Sequence, residues 1–313
     1  MGRRANGEGS VYQRKAIQAA RRTHQLKEEG ALQSNDQTLE AFLTAWLQDT
    51  AQPRLRPRTY LRYRELLTLH VLPTLGKTKL QKLSPPQLQK LYREKLAAGY
   101  APQTVKHIHR VLHKALHDAM RWQLIARNVC DAVDAPRVPR KEMHALTIEE
   151  ARTFLACIKG DPLEALYILA LTTGMRRGEL LALKWEDIDM AHSTLQVRRT
   201  IARIPNQGFQ VSEPKTAKSR RSIQVAAVAL DALKQHRIRQ QEQRLAAGAS
   251  WADEHWVFCN AEGKPLDPSS MLRYSFYKLL AKAELPKIRF HDVRRFGDCK
   301  IALKGQKVRA ITF

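Results

Sequence analysis

The sequence predicts a mainly α-helical protein in two domains, the second of which embeds a small antiparallel β-sheet. Three patterns lead there. Between residues 36 and 133, apolar side chains recur at the helical period in four successive stretches. A basic, proline-punctuated break follows at 134–143, "DAPRVPRKEM", the composition of an interdomain linker. Beyond it, "STLQVRRTIARI" and "RRSIQVA" abandon that period for the pattern of strands. The 313 residues, 43% of them hydrophobic, suffice for two buried cores.

Residues 1–35 are polar, basic and dotted with glycine, and read either as a degenerate domain or as a solvated basic tail. From Asp36 the pattern is helical. Leu39, Phe42, Leu43, Trp46 and Leu47 fall at i, i+3, i+4, i+7 and i+8, one apolar face, with Asp36 or Thr38 placed to cap it. Tyr60, Tyr63, Leu66, Leu67 and Val71 predict a second helix over 60–72, which "LPTLGK" should break. Ser84 before Pro85 and Pro86 marks the start of a third, carrying Leu88, Leu91, Tyr92 and Leu96. Val105, Ile108, Leu112, Ala115 and Ala119 stripe a fourth over 104–122, completing a small bundle. In the second domain Thr147, followed by Glu149 and Glu150, starts a helix with acids in its first turn. "PLEALYILALTTG" continues the helical pattern, and "PNQG" and "EPKTAKS" supply turns between the strands.

Charge narrows the partner. The 54 lysines and arginines against 30 acids leave a net +24, the balance of a polyanion binder, because neutralising phosphates releases their condensed counterions. On the bundle, Arg54, Arg56, Arg58, Arg62, Arg64, Lys106 and Arg110 occupy outward positions. Any one of them suits a solvated helix face; together, with few acids between, they suit a phosphate backbone. His109, His113 and His117 at i, i+4 and i+8 imitate a metal ladder, but the sequence converges no cysteine or carboxylate on them, and neither a metal nor another cofactor is implied. Cys130, Cys157, Cys259 and Cys299 are far apart and form no C-x-x-C, so they read as reduced thiols. No apolar run reaches the length of a membrane span, and the opening "MGRRANGEGSVYQRK" lacks the apolar stretch of a secretion signal. The expected location is the cytoplasm.

The chemistry concentrates in "TTGMRRGELLALKWEDIDM", residues 172–190. A glycine leads into a helix expected to hold Arg176 in its first turn and Glu179 one turn on, anchored by Leu180, Leu181 and Leu183. An arginine there joins a planar donor fork to the positive end of a helix dipole, which suits a phosphate. Alone, an Arg-Glu pair at i, i+3 is more often a plain surface salt bridge.

Four stretches in order give the pair more weight. "TGMRRGELLALKWEDID" resembles the first-arginine box of the tyrosine recombinases, the phage-integrase family. "SEPKTAKSRRSI", residues 212–223, resembles the element that delivers that family's catalytic lysine in "P-K-T-x-x-S-x-R". "VFCNAEGKPLDPSSMLRYSF", residues 257–276, and "HDVRR", residues 291–295, resemble the segments leading to and forming its second-arginine box. The resemblance implies a basic, degenerate arm-binding-like segment at 1–35, a helical core-type DNA-binding domain at 36–133, a linker at 134–143, a mixed α/β recombinase catalytic domain at 144–295, and an atypical tail at 296–313. It implies that Arg176 and Arg294 bracket the scissile phosphate, that His291 adds a donor or takes a proton, that Lys215 protonates the departing 5′-oxygen, and that Glu179 orients its neighbours. It also implies a double-stranded DNA partner at attachment-type sites, a homotetramer on that DNA, a bacterial, nucleoid-associated setting, and transesterification through a 3′-phosphotyrosine with no metal or ATP.

The same comparison exposes a break. Family members carry their nucleophilic tyrosine downstream of the second-arginine box, whereas the last tyrosine here is Tyr277 and Arg294 is followed by "RFGDCKIALKGQKVRAITF". The expectation is a C-terminally truncated or frameshifted recombinase that does not cleave by itself. The alternatives are a non-catalytic DNA-binding protein that occupies recombination sites and, less compatible with the bundle, a related topoisomerase. Cys299 and Thr312 are the other nucleophiles of the tail, and no partner base is evident for either.

Overall fold

The computed structural model describes residues 36–139, 146–205, 207–213 and 220–293, which divide between Arg140 and Lys141 into two units. The arm-like segment 1–35, the tail 296–313, Lys215 and Arg294 therefore lie outside the described residues.

In the first unit, Thr38 is the cap that starts α1, its hydroxyl accepting from the Ala41 amide at 3.2 Å. Helix α1 runs Leu39–Ala45, widens into a π-helical stretch, Trp46–Ala51, and ends as Gln52–Arg54; α2 runs Pro57–Leu66, widens at Leu67–Val71 and finishes as Leu72–Leu75. The second of these corrects the break expected at "LPTLGK". Proline has no amide hydrogen and its ring collides with the carbonyl four residues back. Here the turn before each internal proline is opened instead, with Gln52 N–H donating to Leu47 and Leu72 N–H to Leu67, so the helices pass Pro53 and Pro73.

Helix α3, Pro85–Ala97, starts where Ser84 N–H donates to the Gln87 side chain at 2.9 Å, and α4 spans Pro102–Arg121. The five residues of the α1 stripe and the five of the α4 stripe are all buried. Leu96 departs from the expectation and is exposed, because at about 100° per residue it has drifted roughly 80° from Leu88 around the helix. A buried polar contact ties α1 to α4: the indole N–H of Trp46, in the π-turn, donates to Asp118 Oδ2 at 2.9 Å, both residues buried, and the indole stacks on Tyr63 of α2.

The second unit opens with α5, Ile148–Cys157, where Thr147 and Glu150 cap each other reciprocally. Helix α6, Glu164–Thr173, is buried nearly all round. A single turn, α7 (Arg177–Leu180), leads to strands β1 (Ile188–Asp189), β2 (Thr194–Val197), β3 (Thr200–Ile204), β4 (Gly208–Ser212) and β5 (Arg221–Gln224), then to α8 (Ala227–Ala247). The last long helix, α9, runs Pro268–Met271, Leu272–Phe276 and Tyr277–Lys282.

The strands make two small antiparallel sheets, β1-β2-β5 and the hairpin β3-β4, where a single sheet was expected. "STLQVRRTIARI" is cut at Arg198 and Arg199, whose side chains turn to the buried carboxylate of Asp187, with Arg199 Nη1 at 2.8 Å from it. Helix α7 meets β3 closely: a Cβ on Gly178 would lie 2.6 Å from the Thr200 hydroxyl and 2.9 Å from the Ile201 carbonyl. Phe154, Tyr167, Phe276 and Phe290 form one aromatic group in this core. Among the described residues no helix is long and apolar enough to cross a membrane.

Two stability tests follow from these contacts. Asp118→Ala strands the Trp46 indole N–H in the bundle core and should cost about 2–3 kcal/mol in urea unfolding; an unchanged midpoint means that the bond contributes nothing. Gly178→Ala drives a methyl into β3 and should cost about 1–3 kcal/mol, with equal stability showing that α7 can lift away freely.

Candidate active site

Gly174, in the left-handed region at φ 63°, ends α6 and lets the chain reverse toward Arg176 without the penalty a side chain would incur there. Met175 is buried and pins that reversal to the core. Arg176 follows in extended backbone (φ −71°, ψ 148°) and caps α7, so it precedes the helix where the sequence predicted it in the first turn. Because α7 is a single turn, few peptide dipoles align behind the arginine. The site depends on side-chain charge instead.

That charge is organised by Glu179, which is 3% exposed. Its Oε1 accepts from Arg176 Nη1 at 2.7 Å, and its Oε2 accepts both the Arg176 backbone N–H at 2.9 Å and Arg221 Nη2 at 3.0 Å. Burial works to raise the Glu179 carboxyl, but the hydrogen bonds from Arg221 and Arg176 outweigh it and hold the group below the usual carboxylate range. A carboxylate depressed in the folded state stabilises the fold above its unfolded value, and that contribution fades only as pH falls through the lowered one. The Arg176 side chain stays 51% exposed, so its position is fixed from below while its outer face meets solvent.

Arg221 went unassigned in the sequence although it is the closing arginine of "P-K-T-x-x-S-x-R". The motif displayed it, but only folding shows that it reaches Glu179, 42 residues away. It opens β5, which leads directly out of the segment containing Lys215, and it lines an open groove of about 790 Å³ together with Arg198, Arg199 and Arg220.

The second box repeats the local design. Arg289 N–H donates to Asp292 Oδ2 at 3.0 Å, and the guanidinium meets the same carboxylate through Nε at 2.9 Å and Nη2 at 2.8 Å. These hydrogen bonds, against the opposing effect of burial, keep Asp292 below the ordinary carboxylate range. The clasp starts the helical turn at 290–293, on which Phe290 and Val293 are buried and His291 is exposed. Phe290 packs against Tyr167 of α6, the helix that delivers Arg176, so both boxes are anchored in one core that also holds Met175, Leu180 and Leu181.

On the bundle, Arg54, Arg56, Arg58, Arg62, Arg64, Lys106 and Arg110 are all exposed. Arg62 pairs with Glu65. Burial lowers the His107 imidazole, and Arg62 of α2 and Arg110 of α4 lower it further. The histidine ladder has protein partners: His109 Nδ1 lies 3.1 Å from the Tyr92 hydroxyl and His113 Nε2 lies 2.8 Å from Asp131.

Residues 38–97 match the N-terminal SAM-like domain of phage integrases, and residues 144–311, more than half of the chain, match the phage integrase family. A tyrosine recombinase XerC-like protein of Caldanaerobacter subterraneus subsp. tengcongensis is 28% identical over 295 residues, covering 88% of this chain and 75% of that one. Among solved structures, the Tn1549 transposon integrase in complex with a circular intermediate DNA superposes with a TM-score of 0.72 at 19% identity, over 86% of this chain and 88% of that chain. A lambda integrase tetramer bound to a Holliday junction gives 0.60 at 18% identity, over 87% and 74%. The matched boxes, the shared fold and the arginine-carboxylate clasp lead to one assignment: the chain belongs to the phage integrase family of tyrosine recombinases, whose activity is site-specific DNA recombination.

Proposed function

We propose that this protein engages the scissile phosphate of a DNA recombination site through Arg176, with Arg294, His291 and Lys215 completing the cationic set. The observation that carries the reading is the Glu179 clasp. A buried carboxylate holds a half-exposed guanidinium at one position, and a donor fixed before the reaction stabilises charge on the non-bridging oxygens without reorganising. Arg294 is the second such donor, His291 a donor or proton acceptor, and Lys215 the acid for the leaving 5′-oxygen. Glu179 acts behind Arg176.

In this reading residues 36–133 grip the duplex backbone through the exposed cations of α1, α2 and α4, residues 134–143 link the two domains, and residues 144–295 hold the phosphate. Duplex DNA is the partner, as in the transposon integrase complex, and a tetramer is the assembly, as in the lambda integrase complex. The protein works in the cytoplasm, where bacterial DNA lies.

The deciding experiment is a gel-shift assay on a duplex carrying a cognate site: a retarded complex is expected, and free DNA at every protein concentration refutes the reading. Binding to duplex DNA should weaken steeply between low and moderate salt, and affinity indifferent to salt overturns the electrostatic basis. Arg176→Ala should weaken phosphate engagement by about 1–3 kcal/mol, measured by fluorescence anisotropy; no change removes Arg176 from the site.

A further inference from the structure

We infer that Arg221 is a positioning residue for Arg176, acting through the shared Glu179 carboxylate to keep the outer part of the Arg176 guanidinium available to phosphate. The inference rests on the reading of Arg176 as a phosphate ligand and adds a residue to it.

The two clasps supply the argument. In both, an arginine gives its own backbone N–H to a carboxylate three residues on, and in both the side chain folds back to the same group. They differ in how much of the guanidinium is consumed. Asp292 receives Arg289 on both oxygens, from Nε and from Nη2. Glu179 receives only Nη1 of Arg176, because Arg221 Nη2 occupies Oε2 at 3.0 Å. A carboxylate prefers a bidentate guanidinium when it can have one. Arg221 takes the oxygen that such an arrangement would need, so the Arg176 guanidinium gives one nitrogen to Glu179 where that of Arg289 gives two to Asp292.

Charge points the same way. A closed Arg176–Glu179 pair is neutral and offers an incoming phosphate little attraction, whereas Arg221 brings a second cation to the same carboxylate. Arg221 is 29% exposed and Arg176 51%, so the inner cation neutralises the carboxylate and the outer one faces solvent.

The test is a double-mutant cycle on the full chain, read as the Kd for a short fluorescein-labelled duplex at several salt concentrations. Arg221→Met should weaken binding by the same factor as Arg176→Ala, about tenfold, and the double variant should be no weaker than Arg176→Ala alone. Arg221→Lys, which keeps the charge and one donor, should recover much of the loss. If Arg221 instead touches DNA itself, the two losses multiply and the salt slope falls by a further increment of about 0.9, which overturns the inference. Should Arg221→Met fail to fold, Arg221→Gln takes its place, since it keeps a donor to Oε2 without the charge; a loss shared with Arg176→Ala supports the inference and an additive loss refutes it. Failure here is separable from failure of the functional reading: salt-insensitive binding by the unaltered protein, or an Arg176→Ala variant that binds normally, strikes the functional reading, while normal behaviour of both with an additive cycle strikes Arg221 alone.

Discussion

The candidate site depends on one buried anion. Glu179 is almost wholly buried, and an isolated carboxylate there would be costly. The chain compensates with two guanidinium groups and a backbone amide, and the compensation is what gives the site its shape. The Gly174 reversal, the single turn α7 pressed onto β3, and the start of β5 all serve to bring those donors to one carboxylate. Removing the anion would leave two arginines close together without the carboxylate between them. Removing either arginine would leave a buried charge underpaired.

The recurrence of the same clasp at Arg289 and Asp292 shows how little sequence such a device requires. Two residues three positions apart, placed where extended backbone turns into helix, satisfy a backbone donor, a side-chain fork and a buried carboxylate together. At the first box the clasp holds the candidate phosphate ligand directly. At the second it holds the turn that presents His291, whose neighbours Phe290 and Val293 lock it into the core. Fixed backbone beneath exposed polar groups is the arrangement a preorganised site needs.

Much of this was legible in the sequence, for a physical reason. The stripes of α1 and α4 have a strict period, and a stripe that must be buried announces itself; Thr38, Ser84 and Thr147 mark helix starts because unpaired amides need acceptors there. Arg176 and Glu179 could be named because their relation is local. What escaped was non-local or cooperative. Arg221 reaches its partner only after four strands have been laid down, and Trp46 meets Asp118 across 72 residues of chain. The division of "STLQVRRTIARI" into strands of two sheets was hidden because its cause, Asp187, lies in a different segment. Arg176 was placed one residue too far into its helix because local pattern does not distinguish a cap from a first turn.

The widened turns in α1 and α2 carry a consequence for how the bundle meets its surroundings. A π-turn accommodates about one additional residue in a helix, so everything beyond it is rotated by roughly 100° relative to an uninterrupted wheel. Arg54 lies just past such a turn. Its azimuth is therefore set by the accommodation of Pro53 as much as by its own place in the sequence, and a helical wheel drawn from Leu39 onward would aim it in the wrong direction. In this bundle the prolines act as phase shifters: they leave the helices unbroken and redirect the charges that follow.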